Sequence, residues 1–450
     1  MVRVTDMTHG RPIRLILLFS LPLMLGSVFQ QLYTIVDTII IGRGVGMQAL
    51  ASIGAADWIN WLVLWGLQGF TQGFAILAAQ EFGAGAYDRL RRVLAMIVKL
   101  SCWFGIAVTI ISLLLVRPLL TLLHTDPAVF GGAQTYLYVQ FGGSLIIIAY
   151  NMAAAVLRCL GDSRTPLFAI IAASFANIAL DLLFVMGFGW GIFGASFATV
   201  LAQLIAFLLC LRSLRRLPFV QLTKADWKTD PAILLHLCRL GIPTGLQMSM
   251  ITLGGMVLQS VLNGFGVVFV AGYTAANKLY GILESASVAF GYAMTAYMGQ
   301  NRGARNAARI DAGIRAVLVL SAEFTAAIVT AMLVAGKPLL GLFLSTEGAG
   351  VADALAVAHR YLMVLMAFLF ALFMLQAYRS SLQGLGEMTV PTLSGFAEML
   401  MRMGAALVLP TFIGQSGVFF AEGAAWVCAA ALNLVWYYMR IGKIKRDMLK

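Results

Sequence analysis

Apolar residues run along this chain in blocks of roughly 20 or more, the length a helix needs to cross about 30 Å of hydrocarbon. Twelve such blocks are predicted, at 13–40, 49–80, 93–116, 129–157, 166–188, 191–212, 233–262, 267–299, 312–336, 352–380, 389–411 and 416–440. The pattern predicts an all-α integral membrane fold with twelve transmembrane helices. Connections such as Gly187 to Gly191 are short, so little of the chain is left for anything but helices.

The polar segments carry the orientation. With the N-terminus placed in the cytoplasm, 23 basic residues fall inside, from Arg3, Arg11 and Arg14 to Lys443, Lys445, Arg446 and Lys450, and only Arg43, Arg117 and Lys337 fall outside. The positive-inside rule therefore selects an even number of helices and two cytoplasmic termini. Arg3, Arg11 and Arg14 precede an apolar run too long for a signal-peptide core and without a small-residue cleavage site, so the first helix is expected to be retained.

Composition narrows the class. Hydrophobic residues make up 61% and charged residues 11%, with a mean hydropathy of +0.90, which excludes a soluble globular fold. The formal charge of +12 is scattered over short loops and not interleaved with aromatics on one face, so topology explains it and no nucleic-acid partner is expected. Five cysteines without CxxC spacing suggest neither a disulfide framework nor a metal centre.

One stretch breaks the hydrophobic pattern in mid-chain. Arg212 to Pro231 is polar, basic and proline-punctuated, as a cytoplasmic linker would be. On either side the sequence echoes itself: RCLGDSRTP (158–166) aligns with QGLGEMTVP (383–391), AAQEFGAG (78–85) with MGQNRGAR (298–305), Pro22 with Pro243, and GIFGA (191–195) with GVFFA (417–421). Common order and a near-constant shift predict two six-helix lobes, 1–212 and 233–450, joined by 213–232; six being even, the repeat is parallel, about an axis along the membrane normal.

A carboxylate inside a membrane helix costs about 2.5 to 3.5 kcal/mol on insertion scales, which makes Asp37 and Asp181 the first candidates for function. In the first span Gln30, Thr34, Asp37 and Ile41 share a stripe; in the fifth, Ser174, Asn177 and Asp181 do; Thr199 and Gln203 lie one turn apart on the sixth. Oxygen donors from three helices suit Na⁺, and the carboxylates alternatively suit a proton. Asp37 also lies near the outer end of its helix, where it alternatively caps the Gly42–Gly44 turn. Pro22 removes a backbone hydrogen bond fifteen residues earlier and is expected to kink or weaken the helix. Glu398 and Arg402, at i and i+4, read as a structural ion pair. Lys278 and Glu284 are six apart and do not share a face, while Glu323 and Glu422 have no partner on their own helices. Aromatics such as Trp58, Trp61, Trp65 and Tyr136 read as interface anchors.

Taken in order, LPLMLGSVFQQLYTIVDTIIIGR, AAQEFGAG, LRCLGDSRTP, NIALDLLF, GIPTGLQ and GQNRGA resemble the MATE (multidrug and toxic compound extrusion) family of cation-coupled antiporters, over nearly the whole chain. The resemblance implies two six-helix bundles enclosing a central cleft, and export of amphipathic organic cations in exchange for H⁺ or Na⁺ by alternating access. Asp37, Asn177, Asp181 and Thr199 match the family's first-lobe cation site, a place for Na⁺ or a proton. A proline at Pro22 permits bending, and Gln30, Gln31, Tyr33, Thr34, Asn151 and Gln203 are the candidates for the substrate cleft. NorM-like members are acidic in helices seven and ten, where this chain is neutral near Ile251 and Phe373. The expected state is a monomer in the bacterial plasma membrane. A lipid-precursor flippase of the same superfamily is the alternative, although those typically need a strongly basic cleft or extra helices. No HExxH, GxSxG or P-loop motif argues for an enzyme, and no cofactor is expected.

Overall fold

The computed structural model describes residues 4–344 and 350–449, so Arg3 and Lys450 lie outside the described residues. Among these residues there are thirteen α-helices and no strand: α1 Pro12–Gly44, α2 Met47–Gly83, α3 Tyr87–Leu122, α4 Pro127–Gly142, α5 Ser144–Cys159, α6 Arg164–Asp181, α7 Gly191–Arg215, α8 Pro231–Asn263, α9 Val267–Gly303, α10 Ala307–Gly341, α11 Val351–Gly384, α12 Thr389–Ile413 and α13 Phe420–Leu449. In hydrocarbon every backbone N–H and C=O must be satisfied within the protein, and uninterrupted helices achieve this locally. Ten helical segments are long and apolar enough to span a bilayer, and α4 with α5 makes an eleventh, bent by 50° at Gly143. The twelfth expected span is α9, whose 37 residues suffice in length and whose composition is more polar. Each expected block thus corresponds to one helix or to the bent pair. Large apolar side chains stand outward along these helices, Leu114, Leu122, Phe412 and Met439 being 72, 71, 79 and 68% exposed. A soluble monomer does not tolerate so much exposed apolar surface, and a lipid-facing one requires it.

By compactness the chain divides into two units. The first holds the residues up to Asp6 together with Leu21–Ser249; the second holds Met7–Ser20 and Met250–Lys450. These units are defined by packing, whereas the lobes of the sequence analysis are defined by the repeat. Two helices change unit along their length: α1 at Ser20, two residues before Pro22, and α8 at Ser249, six residues after Pro243.

Within the first unit, α2 is the central helix. Ala56 and Ile59 pack with Val116 and Leu120 of α3 and with Ala133, Leu137 and Phe141 of α4. Its other side meets the start of α8 at backbone distance: a Cβ on Gly73 would lie 2.6 Å from the Gly241 Cα and the Leu240 carbonyl. Small residues allow such approach where no water drives helices together. Within the second unit the matching contact is made by the start of α1, where Ile16 and Phe19 are buried and the Ser20 hydroxyl lies 3.4 Å from the Ala289 carbonyl of α9. Ser20 stands 221 residues before Gly241, the same shift that separates Pro22 from Pro243.

Candidate functional site

The first unit contains a cavity of about 40 Å³, lined by Gln30 and Tyr33 of α1, Tyr150 of α5, Asn177 of α6, and Thr199 and Gln203 of α7, among others. A water needs about 10 to 15 Å³ measured this way, and drug-sized sites run to several hundred. The cavity is therefore of a size for ions or waters and too small for an organic drug. Ser174 and Thr199 turn their hydroxyls back on their own helices, donating to the Ile170 and Ala195 carbonyls at 2.9 and 3.2 Å, which leaves oxygen lone pairs for a cation.

Asp37 and Asp181 do not line this cavity but each follows a lining residue, Tyr33 and Asn177, by four positions on its helix; they are near enough to each other for their carboxyl groups to interact directly, and Tyr33 is near both. Asp181 is fully buried. Both of its oxygens, Oδ1 of Asp37, both amide atoms of Asn177 and Oε1 of Gln203 are buried without a hydrogen-bond partner among the described residues. Two carboxylates can bond each other only when one carries a proton, and otherwise a cation must offset their repulsion. Immediately after Asp181, α6 relaxes into a π-helical turn over Leu182–Gly187, a departure from the i→i+4 pattern frequent at functional sites.

The structure thus brings together Asp37, Asn177, Asp181, Thr199, Gln30, Tyr33 and Gln203. Gln31 and Thr34 are exposed, and neither they nor Asn151 lines the cavity; the Asn151 amide donates to Ile147 of its own helix at 2.9 Å. Sequence reasoning missed Asp57 of α2, close enough to Asp37 and to Tyr136 for their charges to interact. The available signal was a carboxylate inside the second apolar block. Tyr136 of α4, expected as an interface anchor, accepts a hydrogen bond from Asn60 of α2 at 3.2 Å.

The second unit handles its buried charge differently. Arg379 of α11 donates to Glu398 of α12 at 2.5 Å, Arg402 donates to Glu398 at 3.0 Å, and Arg402 also reaches Glu422 of α13 at 2.8 Å. The 398–402 pair is the one expected from spacing. Glu422, expected without a partner on its own helix, finds one on another. A further Arg402 N–H donates to the Ile251 carbonyl at 3.1 Å, and Phe373 is buried against Phe290, so the two neutral positions of this half serve the packing. Glu284 neighbours Tyr280 on α9 and senses Glu422 and Arg402; Glu323 is exposed.

Among the described residues, fold and site together define an all-helical, multi-pass membrane protein with an ion-sized, partly polar cavity among its first-unit helices. Comparison with known proteins sharpens that class. The MatE family model matches residues 22–183 and again 243–408, its two matches beginning at Pro22 and Pro243. Over 454 residues the chain is 31% identical to the "Probable multidrug resistance protein YpnP" of Bacillus subtilis (strain 168), covering 99% of this chain and 98% of that one. It is 24% identical to the "Probable multidrug resistance protein NorM" of Thermotoga maritima, covering 93% and 90%. Among solved structures it resembles the chain described as "Crystal structure of MATE in complex with MaL6", with a TM-score of 0.91 at 23% identity and coverage of 99% and 100%. The chain belongs to the MatE family, a family of membrane transporters.

Proposed function

We propose that this protein exports amphipathic, cationic organic compounds from the cytoplasm in exchange for H⁺ or Na⁺, with Asp37 and Asp181 as the ion-coupling pair. The observation that carries this reading is the pair itself: two neighbouring acids, one helical turn from the lining of an ion-sized cavity, with buried oxygens that no protein donor meets. Such oxygens are stable only with a proton or cation to share, and a group that must exchange its partner is what coupling requires. Asn177 and Thr199 supply further hard oxygen donors for Na⁺. Pro22, inside α1 and next to the point where that helix changes unit, is the proposed bending point that links ion occupancy to access. Family membership and the names of its relatives support multidrug efflux. The charge asymmetry of the loops supports a plasma-membrane protein with both termini in the cytoplasm, and a monomer is the proposed working unit.

An antiporter works only if the ion favours a state that binds substrate less well, and this coupling is reciprocal. Binding of a fluorescent organic cation to purified protein is therefore to be measured across pH and across Na⁺ at fixed pH, with Asp37→Asn alongside. Affinity is expected to fall on acidification or on Na⁺ addition, and the variant is expected to lose that response. An affinity indifferent to both ions overturns ion coupling and leaves a uniporter or flippase as the better reading.

A further inference from the structure

At the end of the second unit where α9 and α13 finish lies a second pocket, of about 380 Å³, that neither the ion site nor the ion-pair network uses. Its walls set four cationic side chains, Arg302, Arg305, Arg440 and Lys443, against two carboxylates, Glu387 and Asp447. Both carboxylates are engaged. Arg302 interacts with each of them, and Arg440 approaches Glu387 at 3.9 Å while lying over the Trp436 ring. Arg305 and Lys443 are exposed and make no ion pair among the described residues.

The backbone gives an independent reason to single out Arg305. It sits at φ 55°, in the left-handed region, which side chains other than glycine, asparagine and aspartate rarely adopt and which concentrates at functional sites. In the aligned segment of the first half the same place holds Gly85, at φ 67°. The second half thus keeps the turn and carries an arginine at the strained position.

The corresponding corner of the first unit is filled by the chain itself. Gly161, aligned with Gly386 of the pocket wall, accepts a hydrogen bond from the Thr5 N–H at 3.0 Å, and Phe219 of the linker packs on Phe82 and Tyr87 at 5.4 Å. Asp162, aligned with Glu387, is taken up in capping the start of α6. In the second unit that space remains open and positively charged.

What would occupy it follows from the charge and the depth. Guanidinium groups match phosphate oxygens in geometry as well as in sign. Directly before Arg440 on α13, Val435, Tyr438 and Met439 are 54, 59 and 68% exposed, an apolar outer face suited to hydrocarbon, so the pocket lies where that face ends and headgroups begin. We propose that this pocket binds the phosphate-bearing headgroup of an acidic phospholipid, with Arg305 and Lys443 as its main contacts. Basic pockets at helix ends are a known physical solution to headgroup recognition.

The test uses the full-length purified protein titrated with phosphatidylglycerol or phosphatidylcholine in detergent, with bound lipid counted by native mass spectrometry. Phosphatidylglycerol is expected to bind in preference, Arg305→Gln with Lys443→Gln to weaken it about thirtyfold, and millimolar inorganic phosphate not to displace it. Arg215→Gln with Arg216→Gln, equally basic and exposed in the first unit, is expected to leave binding within twofold. Equal losses in the two double variants, or none in the first, overturn the pocket. Displacement by inorganic phosphate with the same residue dependence overturns the lipid and assigns free phosphate instead. Arg305→Gly separates recognition from architecture: it is expected to raise Tm by relieving the strained turn while weakening phosphatidylglycerol binding. A joint fall of Tm and binding makes the arginine structural and sinks the proposal.

Discussion

In the first unit, Asp37, Asp181 and Asn177 carry polar atoms into the protein and leave them without hydrogen-bond partners among the described residues. In the second, Arg379, Glu398, Arg402 and Glu422 form a chain of contacts between 2.5 and 3.0 Å, each acid meeting a guanidinium. One family model matches a stretch of each half, 22–183 and 243–408. Burying a charge costs several kcal/mol unless something compensates it. The second unit compensates from within, so its charges hold helices together. The first leaves compensation to whatever enters, so its charges are available for exchange.

The comparison is broken most severely at Arg402. Arg402→Ala strands Glu422 and leaves Glu398 to Arg379 alone, and removing one member of a buried pair typically costs about 3 to 5 kcal/mol. The expected outcome is a steep fall in Tm in detergent and little folded protein; a variant as stable as the parent would show that the network is not structural.

Asp181→Asn and Asp37→Asn make the opposite prediction. Each removes a carboxylate whose buried oxygens lack partners, so Tm is expected to stay level or rise while gradient-driven export by vesicles is abolished, more completely for Asp37. Normal export by both variants would remove the pair from the mechanism.

Packing sharpens the comparison further. Gly73→Leu drives a side chain into the backbone of Gly241 and is expected to cost about 1 to 3 kcal/mol. At the matching contact of the second unit, Ser20→Ala loses a long hydrogen bond to Ala289 and a 2.8 Å bond to the Ile16 carbonyl of its own helix, with no side chain driven into backbone, at a cost of the order of 1 kcal/mol. Equal costs in thermal melts would deny that the two contacts differ in closeness.

The smallest effect is expected in the linker. Burial pushes the Asp226 carboxyl upward in pKa, but the Thr223 N–H and hydroxyl, both at 2.7 Å, with Arg91 and Arg92 nearby, hold it below the ordinary carboxylate range. A lowered folded pKa means stabilisation that is present above the unfolded value, about 4, and is lost as pH falls through the folded one. Limited proteolysis within 213–232 is thus expected to accelerate on acidification below about pH 4, and Asp226→Asn to cleave faster at neutral pH with a flatter profile.

Much of this organisation was legible in the sequence because it is local. Apolar length gave the spans, and i, i+4 spacing gave the 398–402 pair and the Asn177–Asp181 stripe. What escaped depends on helices meeting one another. Glu422 has no partner within its own helix, and only packing brings Arg402 to it. Asp57 reaches the Asp37 neighbourhood from a different helix. Nor does apolar content reveal where a helix bends or loosens, so the 50° bend at Gly143 and the π-turn after Asp181 were invisible in the fourth and fifth blocks.

Exchange of the first turns of α1 bears on how such a chain is made. Residues 7–20 leave the ribosome well before their partner: the carbonyl that Ser20 meets belongs to Ala289, 269 positions later. At 5 to 20 residues per second, the segment waits on the order of 10 to 50 s for its partner to be synthesised. Throughout that interval the nascent N-terminal helix is half-docked, its Leu21–Gly44 portion able to join the first unit while the preceding turns have no protein surface to rest on. The early turns of α1 are therefore seated only once α9 has been made, and a chain truncated before α9 would leave them without that partner.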